Sequence, residues 1–129
     1  MNSNFEFLQD EWPGTYRDAV EAEQHALIAP VTSAFYTRLC LERLVDWLYA
    51  NDGELEEPYQ ATLSARMYTT EFKSLVPPSI LHELTFIRKE GNNAVHGKGS
   101  NSYVAVAALK YLHRFARWVV RFYSETPPG

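Results

Sequence analysis

The fold is decided by one long stretch, residues 30–53, which reads PVTSAFYTRLCLERLVDWLYANDG. Apolar side chains recur in it at helical spacing and share one broad face. They are Tyr36, Cys40, Leu41, Leu44, Trp47 and Leu48. The charged residues Arg38, Glu42 and Asp46 fall opposite. Proline suits the first turn of a helix and Asn-Asp-Gly suits its end, so a central core helix is predicted from Pro30 to Asn51.

The segments before and after this helix also show helical spacing, and no stretch reads convincingly as a strand. A first helix is expected from about Thr15 to Ile28, because Pro13 and Gly14 precede a run of apolar residues at helical spacing. Residues 61–75 predict one or two short helices that join near residues 68–70.

Two further helices are expected in the second half of the chain. One runs from Ser79 to about Glu90, with Gly91 as its natural terminator. A long one begins at the N-cap candidates of residues 100–102 and reaches about Ser124. The predicted fold class is therefore all-α, a compact bundle of four to five helices.

Chain length and cysteine content bound the organisation and the setting. With 129 residues the chain fits one domain, expected at residues 1–125, and the closing TPPG at 126–129 predicts the start of a linker to further domains. A single cysteine, Cys40, excludes an internal disulfide framework and favours a reduced, cytoplasmic setting. Charges interrupt the most apolar helix, so no membrane span is expected.

The charges divide unevenly along the chain. Residues 1–60 hold twelve Asp or Glu and three Arg, whereas residues 61–129 hold four Glu and nine Lys or Arg. On the last predicted helix four cations fall within one narrow arc: Lys110, Arg114, Arg117 and Arg121. The pattern is typical of any solvated helix face, but it also predicts a docking strip for phosphates or an acidic partner, because bound phosphates release counterions. We call these four residues the basic strip.

A second candidate site lies in residues 87–97, IRKEGNNAVHG. Arg88 projects to the edge of the buried face, where a guanidinium needs a partner. If the chain reverses at Gly91, Asn92 or Asn93 and His96 return towards Arg88 and form a polar pocket. The structural alternative is that Arg88 bonds a carboxylate of the core helix, Glu42 or Asp46, while the histidine caps a turn.

Four stretches resemble a domain of unknown function at the N terminus of type I restriction enzyme R proteins. They are FLQDEWPGTYRDAVEAE at 7–23, AFYTRLCLERLVDWLYANDG at 34–53, PYQATLSA at 58–65 and IRKEGNNAVHG at 87–97. The resemblance implies an accessory domain of an ATP-dependent restriction enzyme, whose parent would be a type I site-specific deoxyribonuclease. No phosphate-binding loop or strand-borne nuclease motif occurs in this segment, so no cofactor and no metal are expected in it.

That family resembles, more distantly, the HEPN (higher eukaryote and prokaryote nucleotide-binding) helical bundles. The resemblance implies an alternative function, a metal-independent ribonuclease with Arg88 and His96 as its catalytic pair. Seven residues separate the pair here, whereas HEPN ribonucleases usually have four to six. Expected partners are DNA or RNA, other domains or subunits of a restriction complex, and a second copy of the chain. The helical projection places Phe35, Leu39 and Phe86 on the solvent side, where they predict a contact surface for either a partner domain of the parent protein or a homodimer.

Overall fold

A computed structural model describes residues 2–97 and 101–125. A 3₁₀ turn, Glu6–Leu8, precedes six helices: α1 (Pro13–His25), α2 (Pro30–Asn51), α3 (Leu63–Met67), α4 (Thr70–Leu75), α5 (Pro78–Val95) and α6 (Ser102–Tyr123). No strand occurs in the described residues, and the predicted all-α bundle is confirmed. None of the helices there is long and apolar enough to cross a membrane. The predicted linker, residues 126–129, lies outside the described residues.

Prolines and side-chain caps set where the helices begin. α1, α2 and α5 each have a proline in their first turn, where a missing N–H is harmless. The other three are capped by a side chain that accepts a backbone N–H: Thr62 for α3, Thr69 for α4 and Asn101 for α6. The bounds of α2 and the cap at Asn101 are as predicted, whereas α1 begins and ends earlier than expected.

α2 forms the centre of the bundle and packs against α1, α5 and α6. Cys40, Leu41, Leu44 and Leu48 are fully buried on its predicted face, and burial raises the pKa of the Cys40 thiol well above its ordinary value. Each such leucine stabilises the fold by about 1.5–3 kcal/mol. α1 and α6 both flank α2 but hardly touch each other, and the N-terminal 3₁₀ turn contacts both.

The predicted end of α5 at Gly91 is wrong. α5 continues through Gly91 to Val95, and Gly91 is buried. A Cβ built there would lie 2.4 Å from both Cβ and Cδ of Arg38 in α2. Gly91 is thus needed for the close approach of two helices and does not end one. The left-handed residue that follows α5 is Gly97, with a φ of 72°.

The predicted solvent-side trio of apolar residues is exposed only in part. Phe86 is half-buried, because its ring packs edge-on against Tyr111 of α6 at a centroid distance of 5.4 Å. Leu39 is also half-buried, and only Phe35 is exposed. The expectation that Phe86 faces solvent is therefore wrong, since it treated α5 alone and α6 covers that side.

Candidate functional site

The basic strip lies on the outer side of α6. All four of its side chains are exposed, and the first and last lie eleven residues apart, or about 17 Å along the helix. Arg114 has a partner that the sequence of α6 alone did not reveal, since its Nε lies 3.2 Å from a carboxylate oxygen of Glu83 in α5. The Glu83 side chain is mostly buried, so it compensates the charge of Arg114 in part.

The other three strip cations form no ion pair with a carboxylate in the described residues. Arg117 lies over the ring of Phe7, 5.2 Å from its centre, and Arg121 lies over Phe122 at 5.7 Å. Cation–π contacts orient a guanidinium without neutralising its charge. Lys110, Arg117 and Arg121 therefore present positive charge to solvent.

The pocket predicted around Arg88 and His96 does not form in the expected way. Because α5 is continuous, Arg88, Asn92 and His96 follow one another at steps of one helical turn along one side. Arg88 and His96 are about 12 Å apart along the axis. His96 caps the end of α5, is exposed, and donates its backbone N–H to the carbonyl of Asn92 at 3.2 Å. Asn93 points about 100° away from Asn92.

Arg88 instead lies beside Tyr68, at the end of α3. The hydroxyl of Tyr68 is 2.9 Å from Oγ1 of Thr85, and the pKa of Tyr68 is lowered, first by that hydrogen bond and further by the bond and charge of Arg88, against the effect of burial. The Nε of Arg88 is buried without a hydrogen-bond partner among the described residues. Arg88 therefore lies beside the end of α3 and not beside His96.

The carboxylates suggested as partners of Arg88 are bonded elsewhere. Glu42 accepts a hydrogen bond from Nη1 of Arg38 at 2.7 Å. Asp46 pairs with Arg66, which also binds Glu57 at 2.8 Å. The expected bond from Arg88 to Glu42 or Asp46 is therefore wrong.

A groove of about 660 Å³, which no sequence pattern predicted, lies between α1 and α6. Its apolar lining comes from Phe5, from Tyr16 and Val20 of α1, and from Val106 and Leu109 of α6. The groove exists because α1 and α6 both pack on α2 without closing on each other.

The N-terminal segment, residues 2–5, forms one wall of this groove. Ser3 and Asn4 donate hydrogen bonds to the carboxylate of Glu23 in α1, the second from the backbone N–H at 3.1 Å. The carbonyl of Asn4 is 3.1 Å from Nε2 of His113 in α6, and the Phe5 ring packs edge-on against that imidazole. The segment therefore connects the two helices across the gap.

No protein-family model, curated protein or solved structure matches the chain. Across residues 2–97 and 101–125 no group of three His, Cys, Asp or Glu side chains is arranged to hold a metal ion. Function is therefore inferred from the side chains and their geometry.

Proposed function

We propose that this chain is a helical docking domain that binds a polyanionic partner through the basic strip of α6. The observation that carries the proposal is the exposure of all four strip cations on one side of one helix. Three of them lack an acidic partner in the described residues. Aligned, uncompensated cations of this kind attract a partner that carries several negative charges.

The length of the strip favours an extended partner over a small anion. The first and last cations are separated by about 17 Å, so a single phosphate or carboxylate contacts at most one or two of them. A strand of nucleic acid or an acidic protein surface reaches all four, and each contact with a nucleic-acid phosphate also releases a counterion.

The biological setting that fits this role is the one implied by the sequence resemblance. We propose an N-terminal accessory domain of a type I restriction enzyme R protein, which holds nucleic acid or a partner subunit beside the motor and nuclease of the parent. Four stretches of sequence support this assignment. Catalysis is not proposed for this segment.

The ribonuclease alternative is not favoured by the geometry. It requires a guanidinium and an imidazole at one phosphodiester. Arg88 and His96 are two helical turns apart, and Arg88 is engaged with Tyr68.

The test compares two triple variants with equal loss of charge. The strip variant carries Lys110→Gln, Arg117→Gln and Arg121→Gln. The control carries Arg17→Gln, Lys73→Gln and Lys89→Gln, three exposed cations on other helices. Binding to duplex DNA, to single-stranded RNA and to poly-glutamate is measured over a range of salt concentrations.

Loss of affinity of tenfold or more in the strip variant, with a shallower salt dependence, supports the proposal. The control variant should bind each probe with nearly the same affinity as the wild-type chain. Equal affinities of the two variants for every probe would reject the role of the strip.

A further inference from the structure

The groove between α1 and α6 lies directly beside the basic strip. Lys110 belongs to both, because it lines the groove and begins the strip. Arg117 lies farther along α6, over Phe7 of the 3₁₀ turn. The end of a partner that binds at Lys110 therefore lies next to the groove.

The interior of the groove is suited to an apolar group. Its walls are mainly the side chains of Phe5, Tyr16, Val20 and Leu109. Its volume, about 660 Å³, lies within the range of pockets that enclose a bound group. An aromatic or branched aliphatic side chain that enters it leaves water for an apolar surface, which favours binding.

The lining of the groove includes one carboxylate, Glu23, and one ammonium group, Lys110. The carboxylate of Glu23 already accepts hydrogen bonds from Ser3 and Asn4, and Nε2 of His113 is bonded to the carbonyl of Asn4. Lys110, in contrast, is exposed and forms no ion pair in the described part of the chain. The Glu23 carboxylate keeps its negative charge, but its oxygens are occupied by these hydrogen bonds, whereas Lys110 and the strip that continues from it along α6 present free positive charge. A ligand with an apolar group in the groove and carboxylates towards the strip is therefore favoured.

We infer that the partner docked by α6 is an acidic protein segment, which places an apolar side chain in this groove and its carboxylates along the basic strip. The inference rests on the proposed docking function and names the class of partner. Duplex nucleic acid uses the strip, but its bases are stacked and paired inside the helix, so it places no apolar group in the groove. A small amphipathic molecule would use Lys110 and leave the three arginines without a role.

The first experiment needs no change to the protein. Two synthetic acidic peptides of equal charge are compared, one with a single phenylalanine flanked by glutamates and one with alanine in its place. The wild-type chain should bind the phenylalanine peptide about tenfold tighter or more, since an aromatic ring is removed from water. Equal binding of the two peptides would overturn the inference.

The second experiment fills the groove. Val106→Trp places a large ring at its mouth, and Val31→Trp is the matched control, because both valines are 37% exposed and only Val106 lines the groove. Val106→Trp should abolish the preference for phenylalanine, whereas Val31→Trp should keep it. Val20→Phe fills the groove from α1 and gives a second variant if Val106→Trp fails to fold. If Val106→Trp and Val20→Phe both still prefer the phenylalanine peptide, the inference is overturned.

The strip variant separates this inference from the proposed function. If it weakens both peptides equally while the wild-type chain still prefers phenylalanine, both proposals are supported. If duplex DNA binds more tightly than either peptide at the same salt and only through the strip, the docking function stands and the partner is nucleic acid. If no probe responds to the strip variant, the docking function itself is rejected.

Discussion

The backbone of Gly91 in α5 lies against the aliphatic stem of Arg38 in α2. A Cβ at position 91 would be 2.4 Å from Cβ and Cδ of Arg38 and 2.8 Å from its Cγ. The head of Arg38 is held by Glu42 one turn further along α2, at 2.7 Å. This contact sets how closely the two helices approach.

Replacement of Gly91 by alanine should destabilise the fold by about 1–3 kcal/mol, because the new methyl group overlaps a stem that is fixed to the α2 backbone. Alanine has the better helix propensity by about 1 kcal/mol, so the packing cost must exceed that gain. Urea unfolding measures the difference. Gly53→Ala is the control, since nothing lies within 4 Å of the position that its methyl group would take, and it should change stability little. A Gly91→Ala chain as stable as the parent would contradict this contact.

The parts of the fold that were predictable depend on local signals. The apolar period of α2, its proline start and its Asn-Asp-Gly end all lie within one stretch, and its bounds are correct. The prediction for Gly91 is wrong because a glycine that ends a helix and a glycine that admits a second helix look alike in sequence. Only the position of Arg38, on another helix, distinguishes them.

The candidate sites also combine features that a local sequence pattern predicts with features that depend on how separate helices pack. The exposure of the basic strip follows from the period of α6, and its prediction is confirmed at all four positions. The pairing of Arg114 with Glu83 and the groove beside Lys110 depend on how separate helices pack, so no local pattern contained them.

The distance between Arg88 and His96 predicts that their contributions to stability are independent. Arg88→Ala should cost about 1 kcal/mol, because it removes a half-buried side chain that lies beside Tyr68. His96→Ala should change the free energy of unfolding by no more than about 0.5 kcal/mol, since the ring is exposed. The double variant should equal the sum within about 0.5 kcal/mol. A larger coupling energy in the double-mutant cycle would show that the two side chains interact, as the pocket predicted from sequence requires, and would contradict this prediction.

The N-cap of α6 gives a separate prediction. The side chain of Asn101 accepts the N–H of Val104 at 3.0 Å. Asn101→Ala should therefore cost about 1 kcal/mol in chemical denaturation, whereas Asn101→Ser, which retains a capping oxygen, should cost much less. An equal loss in the two variants would mean that the cap is not the source of the effect.

The C-terminal end of α6 is joined to the end of α2 by one hydrogen bond. The hydroxyl of Tyr123 donates to Asp52 at 2.5 Å. Burial and, next, the bond and charge of Asp52 raise the pKa of Tyr123 above its ordinary value of about 10. Folding therefore favours the protonated phenol.

The sign of the pH dependence follows from that direction. Below about pH 10 the phenol is protonated in both the folded and the unfolded chain, so its contribution to stability is fully present. As pH rises above about 10 the unfolded chain ionises first, and the contribution is progressively lost. Tyr123→Phe should be less stable than the parent at neutral pH, by about 1 kcal/mol for the missing hydrogen bond.

The difference between the parent and Tyr123→Phe should then shrink as pH rises beyond 10, because the variant has no phenol to ionise at this position. Unfolding free energies of both chains, measured from neutral to strongly alkaline pH, give this difference directly. The pKa of Tyr49 is also raised, but Tyr49 is common to both chains and its effect cancels in the comparison. A difference that stays constant across the alkaline range would show that the Tyr123–Asp52 bond does not shift the titration of the phenol.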